Sequence, residues 1–400
     1  MQSIQNCLLP EKALFIHEAP LKQTPPTIQS GSCAGVLPRE SCHGDSARGL
    51  VAQGAILTSS RWLATLGMLA LMAIAVSVIC LHFGAQPIGY GEIVRVVLDA
   101  MSRKPVDSEV STVTSTILLQ VRLPRMLLGF FVGCSLAAVG VALQALLRNP
   151  LADPYVLGVS SGAALGAAVG VLLGVGTTVL AETALPACGF AGGLLALGII
   201  YRMAANSGQL PIHSLLLTGV ILNAIFSALI MFITSILEPN RSYGMMVWLM
   251  GTLTAPTYGG LAGLVVYLTI GLVLLFSYIR ALNILALGED TARTLGIDTE
   301  RAKRSLFVLA ALVTGAVVSV SGMIGFIGMV VPHAVRLLTG ADHRLLLPAS
   351  ALAGGTFLMG ADTIARTMIS PAEIPVGIIT ALAGGPFFVY LLLWRKDRLA

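Results

Sequence analysis

Few side chains in this sequence have the type and spacing needed to do chemistry. The six cysteines are Cys7, Cys33, Cys42, Cys80, Cys134 and Cys188, and no CxxC or HxxxH spacing marks a metal site among them. Three lie in apolar segments, where a thiol acts as a small hydrophobe. The other three share the first 60 residues with His17 and His43, and the adjacent Cys42-His43 makes no ligand set by itself. No GxSxG or HExxH pattern stands out, and His333 and His343, beside prolines and charges, are read as structural. No catalytic residue, metal or cofactor is therefore expected. There is also no GxxxxGK[ST] loop to cradle nucleotide phosphates, so ATP hydrolysis is not expected of this chain itself.

The polar residues that do form a pattern lie inside apolar runs. In LLLTGVILNAIFSALIMFITS, Gly219, Asn223 and Ser227 recur at every fourth position, with Thr234 near the same helix face. A buried amide within a membrane helix needs a partner or water. This face is either an interhelical hydrogen bond or a polar wall of a translocation path. A second stripe, Gly158, Gly162, Gly166, Gly170 and Gly174, also repeats every four residues. Small residues at this spacing let neighbouring backbones approach closely in lipid, and tight packing is favoured over a path lined by bare backbone.

The elements that position these residues follow from composition. The 400 residues are 56% hydrophobic and 11% charged, whereas a soluble domain carries roughly 25% charged residues. Lipid must solvate most of such a chain. The net charge of +5 comes without a dense Lys/Arg run, which excludes a nucleic-acid footprint. Residues 1–60 are rich in Pro, Gly, Ser and Gln, lack a long apolar run and lack a signal-peptide pattern. They are expected to be a disordered cytoplasmic extension, with the membrane domain at 61–400.

About 20 apolar residues are needed to cross the hydrocarbon core. Ten runs qualify, near 62–83, 124–146, 155–175, 180–203, 213–236, 257–279, 304–321, 323–339, 346–366 and 374–394. The last turn of the seventh must break near Ser321-Gly322. Long runs rather than alternating strands predict an all-α polytopic protein. Placing both termini inside puts Arg148, Arg202, Arg280, Arg293, Arg301, Lys303, Arg304, Arg336, Arg344, Arg395, Lys396 and Arg398 on the cytoplasmic side. Fewer positives fall outside, among them Arg122, Arg125, Arg241 and Arg366. An ion-gradient-driven secondary transporter is the alternative class. It usually keeps ionisable residues in mid-membrane, and these spans hold almost none.

Five segments together resemble the FecCD-type permease subunits of type II ABC importers. They are RLPRMLLGFFVG (Arg122 to Gly133), QALLRNPLADPYVLGVSSGAALG (Gln144 to Gly166), LALGEDTARTLGI (Leu285 to Ile297), SGMIGFIGMVVPHAVRLLTGADHRLLLP (Ser321 to Pro348) and ADTIARTMISPAEIPVGIITALAGGPFFVYLL (Ala361 to Leu392). The resemblance implies the type II permease fold, a homodimer, two cytoplasmic ATP-binding subunits and a soluble substrate-binding protein on the outer face. It implies uptake of an iron-siderophore, haem or cobalamin across a bacterial cytoplasmic membrane by alternating access. It assigns ATPase coupling to Gly288–Arg304, with Gly288, Glu289, Asp290, Arg293, Leu295 and Gly296. It assigns binding-protein docking to Arg122, Arg125 and Arg366, expected to meet water at outer helix ends. It places the fifth span on the passage, which favours a path role for Gly219, Asn223 and Ser227.

Overall fold

A computed structural model describes residues 59–400 apart from 85, 103–108, 176–180, 206–209, 370 and 397–400. The described residues belong to one compact unit, Leu57–Ala400. The expected extension, residues 1–60, lies outside the described residues except for Ser59 and Ser60, which begin a helix.

Every regular element among the described residues is helical. The order is α1 (Ser59–His82), α2 (Tyr90–Ser102), α3 (Glu109–Thr116), α4 (Leu123–Leu146), α5 (Val159–Leu172), α6 (Ala181–Ala204), α7 (Ile212–Ile236) and α8 (Pro239–Leu249). It continues with α9 (Tyr258–Ser277), α10 (Ile279–Leu285), α11 (Glu289–Thr294), α12 (Thr299–Ser321), α13 (Ile327–Thr339), α14 (His343–Thr367) and α15 (Val376–Lys396). A π-helical stretch, Ile117–Arg122, feeds α4, and a 3-10 turn, Pro154–Leu157, precedes α5. Seven helices are long and apolar enough to cross a membrane, and three shorter apolar ones, α5, α13 and α15, complete the ten expected spans. The segments between the first and second spans and between the fifth and sixth hold α2, α3 and α8, which a search for long apolar runs does not find.

Local chemistry explains the starts and breaks. Asp298 and Asp342 accept the backbone N–H of Arg301 and Arg344 at 3.0 and 2.9 Å, so each N-caps its helix. Pro124 stands in the first turn of α4, where its missing N–H is harmless. The break after Ser321 is real, and longer than expected. Gly322 takes φ 65° and Phe326 φ 71°, two left-handed residues that no continuous helix can contain.

At the centre lies α4, buried along most of its length. Gly133 meets the backbone of Gly354 on α14, and Gly140 meets the backbone of Gly328 on α13, so a side chain at either position would collide with main chain. The stripe on α5 works the same way. Gly162 and Gly166 face Cys188, Gly192 and Ala196 of α6, which is the tight-packing role. Around this core α1, α7, α9 and α15 turn outward apolar residues such as Leu63, Leu71, Leu217, Phe232, Val266 and Val389. With lipid as solvent, that exposure needs no soluble partner.

Candidate functional site: a cavity beside α7 and the exposed bend joined to it

One end of the bundle, the basic end, gathers Arg148, Arg202, Arg293, Arg301 and Arg344. Toward this end α7, the 3-10 turn and the break before α13 line an open cavity of about 410 Å³. Asp153, Tyr155, Val220, Asn223, Phe326 and Met329 are among its walls. Asn223 lines this cavity. Gly219 does not. It is buried, and an added Cβ would sit 2.8 Å from the Val156 carbonyl, so it lets α7 pack on the 3-10 turn. Ser227, one turn further on, is half-buried and is not among the residues lining this cavity.

The opposite wall was not read from the sequence. Asp153 caps the 3-10 turn by accepting the Tyr155 N–H at 2.8 Å. Burial pushes its carboxyl up to about 6, against the opposing pull of that N–H. The Tyr155 hydroxyl accepts the Ile324 N–H at 2.7 Å and so ties the turn to the broken segment. Phe326, held in its left-handed conformation, separates this cavity from a smaller one of about 140 Å³ against α15. The positional signal available was Pro154, which marks a turn, and the polar Asp153 before it.

Between α10 and α12 the chain makes a short exposed bend at the basic end. Gly288 (φ 119°) and Gly296 (φ 79°) take backbone conformations that favour glycine and so frame α11. Asp290, Arg293, Leu295 and Gly296 are exposed, and Leu287 and Leu295 present 67% and 55% of their surface among charges of both signs. Glu289 points inward instead, half-buried, to Lys303 at 3.2 Å. Lys303 is buried and also pairs with Glu300 at 2.6 Å. Arg293 lies 3.9 Å from both carboxylates. The other oxygen of Glu300 accepts the Leu210 N–H at 2.9 Å, two residues before α7 begins. A continuous polar chain therefore runs from the bend through Glu289, Lys303 and Glu300 to the start of the helix that carries Asn223. The i,i+3 spacing of Glu300 and Lys303 was the sequence signal for it.

At the far end the three arginines do not meet water as expected. Arg122 is 4% exposed, and the side chains of Arg125 and Arg366 are 13% and 9% exposed. Arg122 donates to the carbonyls of Leu81 at 2.6 Å, His82 at 3.1 Å, and Gln86. Arg366 donates to the Cys80 carbonyl at 2.6 Å. Both thus satisfy carbonyl groups at the end of α1 that have no partner within the helix. Arg125 forms a fork on the buried Asp362 at 2.9–3.2 Å and reaches Glu373 at 2.8 Å. The carboxylates are what loop charge counting misses. Asp362 sits four residues before Arg366 on one helix face, and Glu373 follows that helix.

Among the described residues, nine apolar helices around a buried tenth, a polar-walled cavity and an exposed bend joined by ion pairs to the start of the cavity's own helix suit a transporter permease. The FecCD transport family matches residues 70–394, and the chain belongs to that family. A cobalamin import permease of Halobacterium salinarum is 43% identical over 342 residues, 84% of this chain and 90% of its own length. A hemin transport permease of Yersinia pestis is 41% identical over 70% of this chain and 84% of its own. An Fe(3+) dicitrate permease of Escherichia coli K12 is 38% identical over 69% and 85%. A solved ABC transporter, assigned to the metal-chelate type and captured inward-facing, superposes with a TM-score of 0.70 at 30% identity, covering 83% of this chain and 99% of its own. The chain is a multi-pass permease of an ABC importer in the family of iron-chelate, haem and vitamin B12 uptake.

Proposed function

We propose that two copies of this chain enclose a passage for a metal chelate of the ferric siderophore, haem or cobalamin class in a bacterial cytoplasmic membrane. The basic end faces the cytoplasm, with both termini there. Two separate ATP-binding subunits press on Gly288–Arg304 through Leu295, with the adjoining Leu287 beside it. A loaded binding protein docks at the far end, above the cluster of Arg122, Arg125 and Arg366. The observation that carries this reading is the polar chain from Glu289 through Lys303 and Glu300 to Leu210. It gives an exposed bend a mechanical connection to α7, and α7 walls the cavity with Asn223. Relatives named for cobalamin, hemin and ferric dicitrate are similar to this chain to comparable degrees, which supports a bulky metal-bearing cargo and leaves the choice to the binding protein.

The test is uptake into proteoliposomes holding this chain with its ATPase and binding protein. Uptake should require ATP and survive an ionophore. Leu295→Asp should insert normally and lose ATPase co-purification and uptake. Uptake driven by an ion gradient without ATP would replace this reading with a secondary transporter.

A further inference from the structure

A second cavity, of about 250 Å³, opens at the basic end between the end of α4, the end of α10, α13 and the start of α14. Gln144, Arg148, Ala286, Arg336 and His343 are among its walls. Two guanidinium groups line it and no carboxylate does. None of the ion pairs among the described residues uses Arg148 or Arg336. Asp342 is not among the cavity's walls, and its Oδ1 accepts from Asn283 Nδ2 and from the Arg344 N–H, both at 2.9 Å. Arg148 is held at φ 48°, a conformation rare for residues with a side chain, with its guanidinium beside Gly288.

Three buried polar atoms on these walls have no partner: Gln144 Oε1, Arg336 Nε and His343 Nε2. Gln144 and His343 are 2% and 3% exposed. Native interiors rarely leave such atoms unpaired. Their polarity defines what is missing. Gln144 Nε2 donates to the carbonyls of Gly328 and Met329 at 3.3 and 3.2 Å, so its Oε1 can only accept. His343 Nδ1 lies 2.7 Å from Asn283 Oδ1, an acceptor that also takes the His343 N–H. The ring proton therefore sits on Nδ1, and Nε2 of the neutral ring accepts. An occupant must accept from guanidinium groups and donate to an amide oxygen or an imidazole nitrogen.

We propose that this cavity binds a phosphate group that keeps a proton, its oxygens held by Arg148 and Arg336 and its O–H directed at Gln144 Oε1 or His343 Nε2. Guanidinium forks suit phosphate oxygens. Sulfate has the oxygens but no proton to donate near neutral pH. The group comes from water as inorganic phosphate or from the membrane as a phosphomonoester headgroup. Either would clamp the α4–α5 connection, which leads to Asp153, onto Ala286 and Gly288 of the exposed bend. The site does not depend on the cargo or direction of transport.

The full chain, delipidated in detergent, is titrated calorimetrically with inorganic phosphate and with sulfate at pH 7. In parallel it is held in phosphatidylcholine nanodiscs with and without phosphatidic acid and examined by native mass spectrometry. Single-site phosphate binding at least tenfold tighter than sulfate identifies the free ion. Retention of one phosphatidic acid per chain identifies the headgroup. Either signal should fall at least tenfold in Arg336→Gln and in Arg148→Gln, and stay unchanged in Arg202→Gln on the same end. Arg148 is exposed, so its variant folds even where Arg336→Gln does not. No binding of either probe, equal affinity for sulfate, or binding that survives Arg148→Gln overturns the proposal.

Discussion

Lys303 is the link at which the exposed bend can be cut from α7. In Lys303→Met the stem volume stays and the charge goes. The wild-type Nζ lies 2.6 Å from Glu300 and 3.2 Å from Glu289, with the lysine side chain only 5% exposed. Breaking a fully buried pair costs about 3–5 kcal/mol, because the surviving charge is stranded. An exposed pair is worth about 0–1 kcal/mol. Here the carboxylates keep 22% and 26% of their side-chain surface, and Arg293 remains 3.9 Å from each, so the loss should fall between the limits, at about 1–3 kcal/mol. Denaturant unfolding in detergent should show that loss. In the reconstituted importer, uptake per ATP hydrolysed should drop while the ATPase still co-purifies, since Leu295 is untouched. Lys303→Arg should recover part of both. Glu300→Gln combined with Lys303→Met should cost at least about 1 kcal/mol less than the two single losses summed. If Lys303→Met leaves both stability and uptake per ATP at wild-type values, the polar chain transmits nothing and the coupling argument fails.

Asp153 predicts a pH effect of defined sign. Its folded carboxyl titrates at about 6 against an ordinary 3.8, so the native state holds the proton more tightly than the unfolded chain. Stability from this group is present below about pH 4 and is lost as pH rises to about 6, by about 1–2 kcal/mol for a half-buried carboxyl. Asp153→Asn keeps the cap and should melt higher than wild type at pH 7 but equally at pH 4. Identical melting curves at both pH values would refute it. Gly192→Val should destabilise by about 1–3 kcal/mol or prevent insertion, because the new side chain meets the Gly166 backbone at 2.7–2.8 Å. Normal yield and melting would show that α5 and α6 can separate at no cost. At the far end Glu373, 57% exposed, already occupies Arg125. Glu373→Gln should speed binding-protein association up to about fivefold, measured by surface plasmon resonance, by freeing a charge for an acidic partner. A slower or unchanged rate would argue that Arg125 serves only to brace the bundle.

The long spans were legible because lipid makes length and apolarity sufficient evidence. Runs near 180–203, 213–236 and 257–279 correspond within a few residues to Ala181–Ala204, Ile212–Ile236 and Tyr258–Ser277. The break after Ser321 was legible from glycine, yet its extent to Phe326 was not, since nothing in a phenylalanine announces a left-handed backbone. Short amphipathic helices such as α2 and α8 carry no long apolar run and escaped. At the site, Asn223 could be read as an amide in an apolar helix. Gly219 shares its stripe but packs on the 3-10 turn, because four-residue spacing identifies a face without saying what lies against it. The arginines illustrate the same limit. Counting charge by loop assigns a side of the membrane, while the partners of Arg122 are carbonyl oxygens that every sequence possesses.

Those carbonyls give α1 an unusual standing. Much of its surface is apolar and exposed, and it is fastened at its two rims. Trp62 donates to the Arg344 carbonyl at 3.1 Å at one end, and Arg122 and Arg366 grip the Cys80, Leu81 and His82 carbonyls at the other. The second fastening reads main chain, so it is blind to which residues supply it. Such a helix is a stave between two hoops. Its outward positions are free to drift among Leu, Ile, Met and Ala as bilayer thickness and composition change, while the hoops stay fixed. Adaptation to a new membrane can thus be confined to a helix that lies away from the cavity and from the exposed bend.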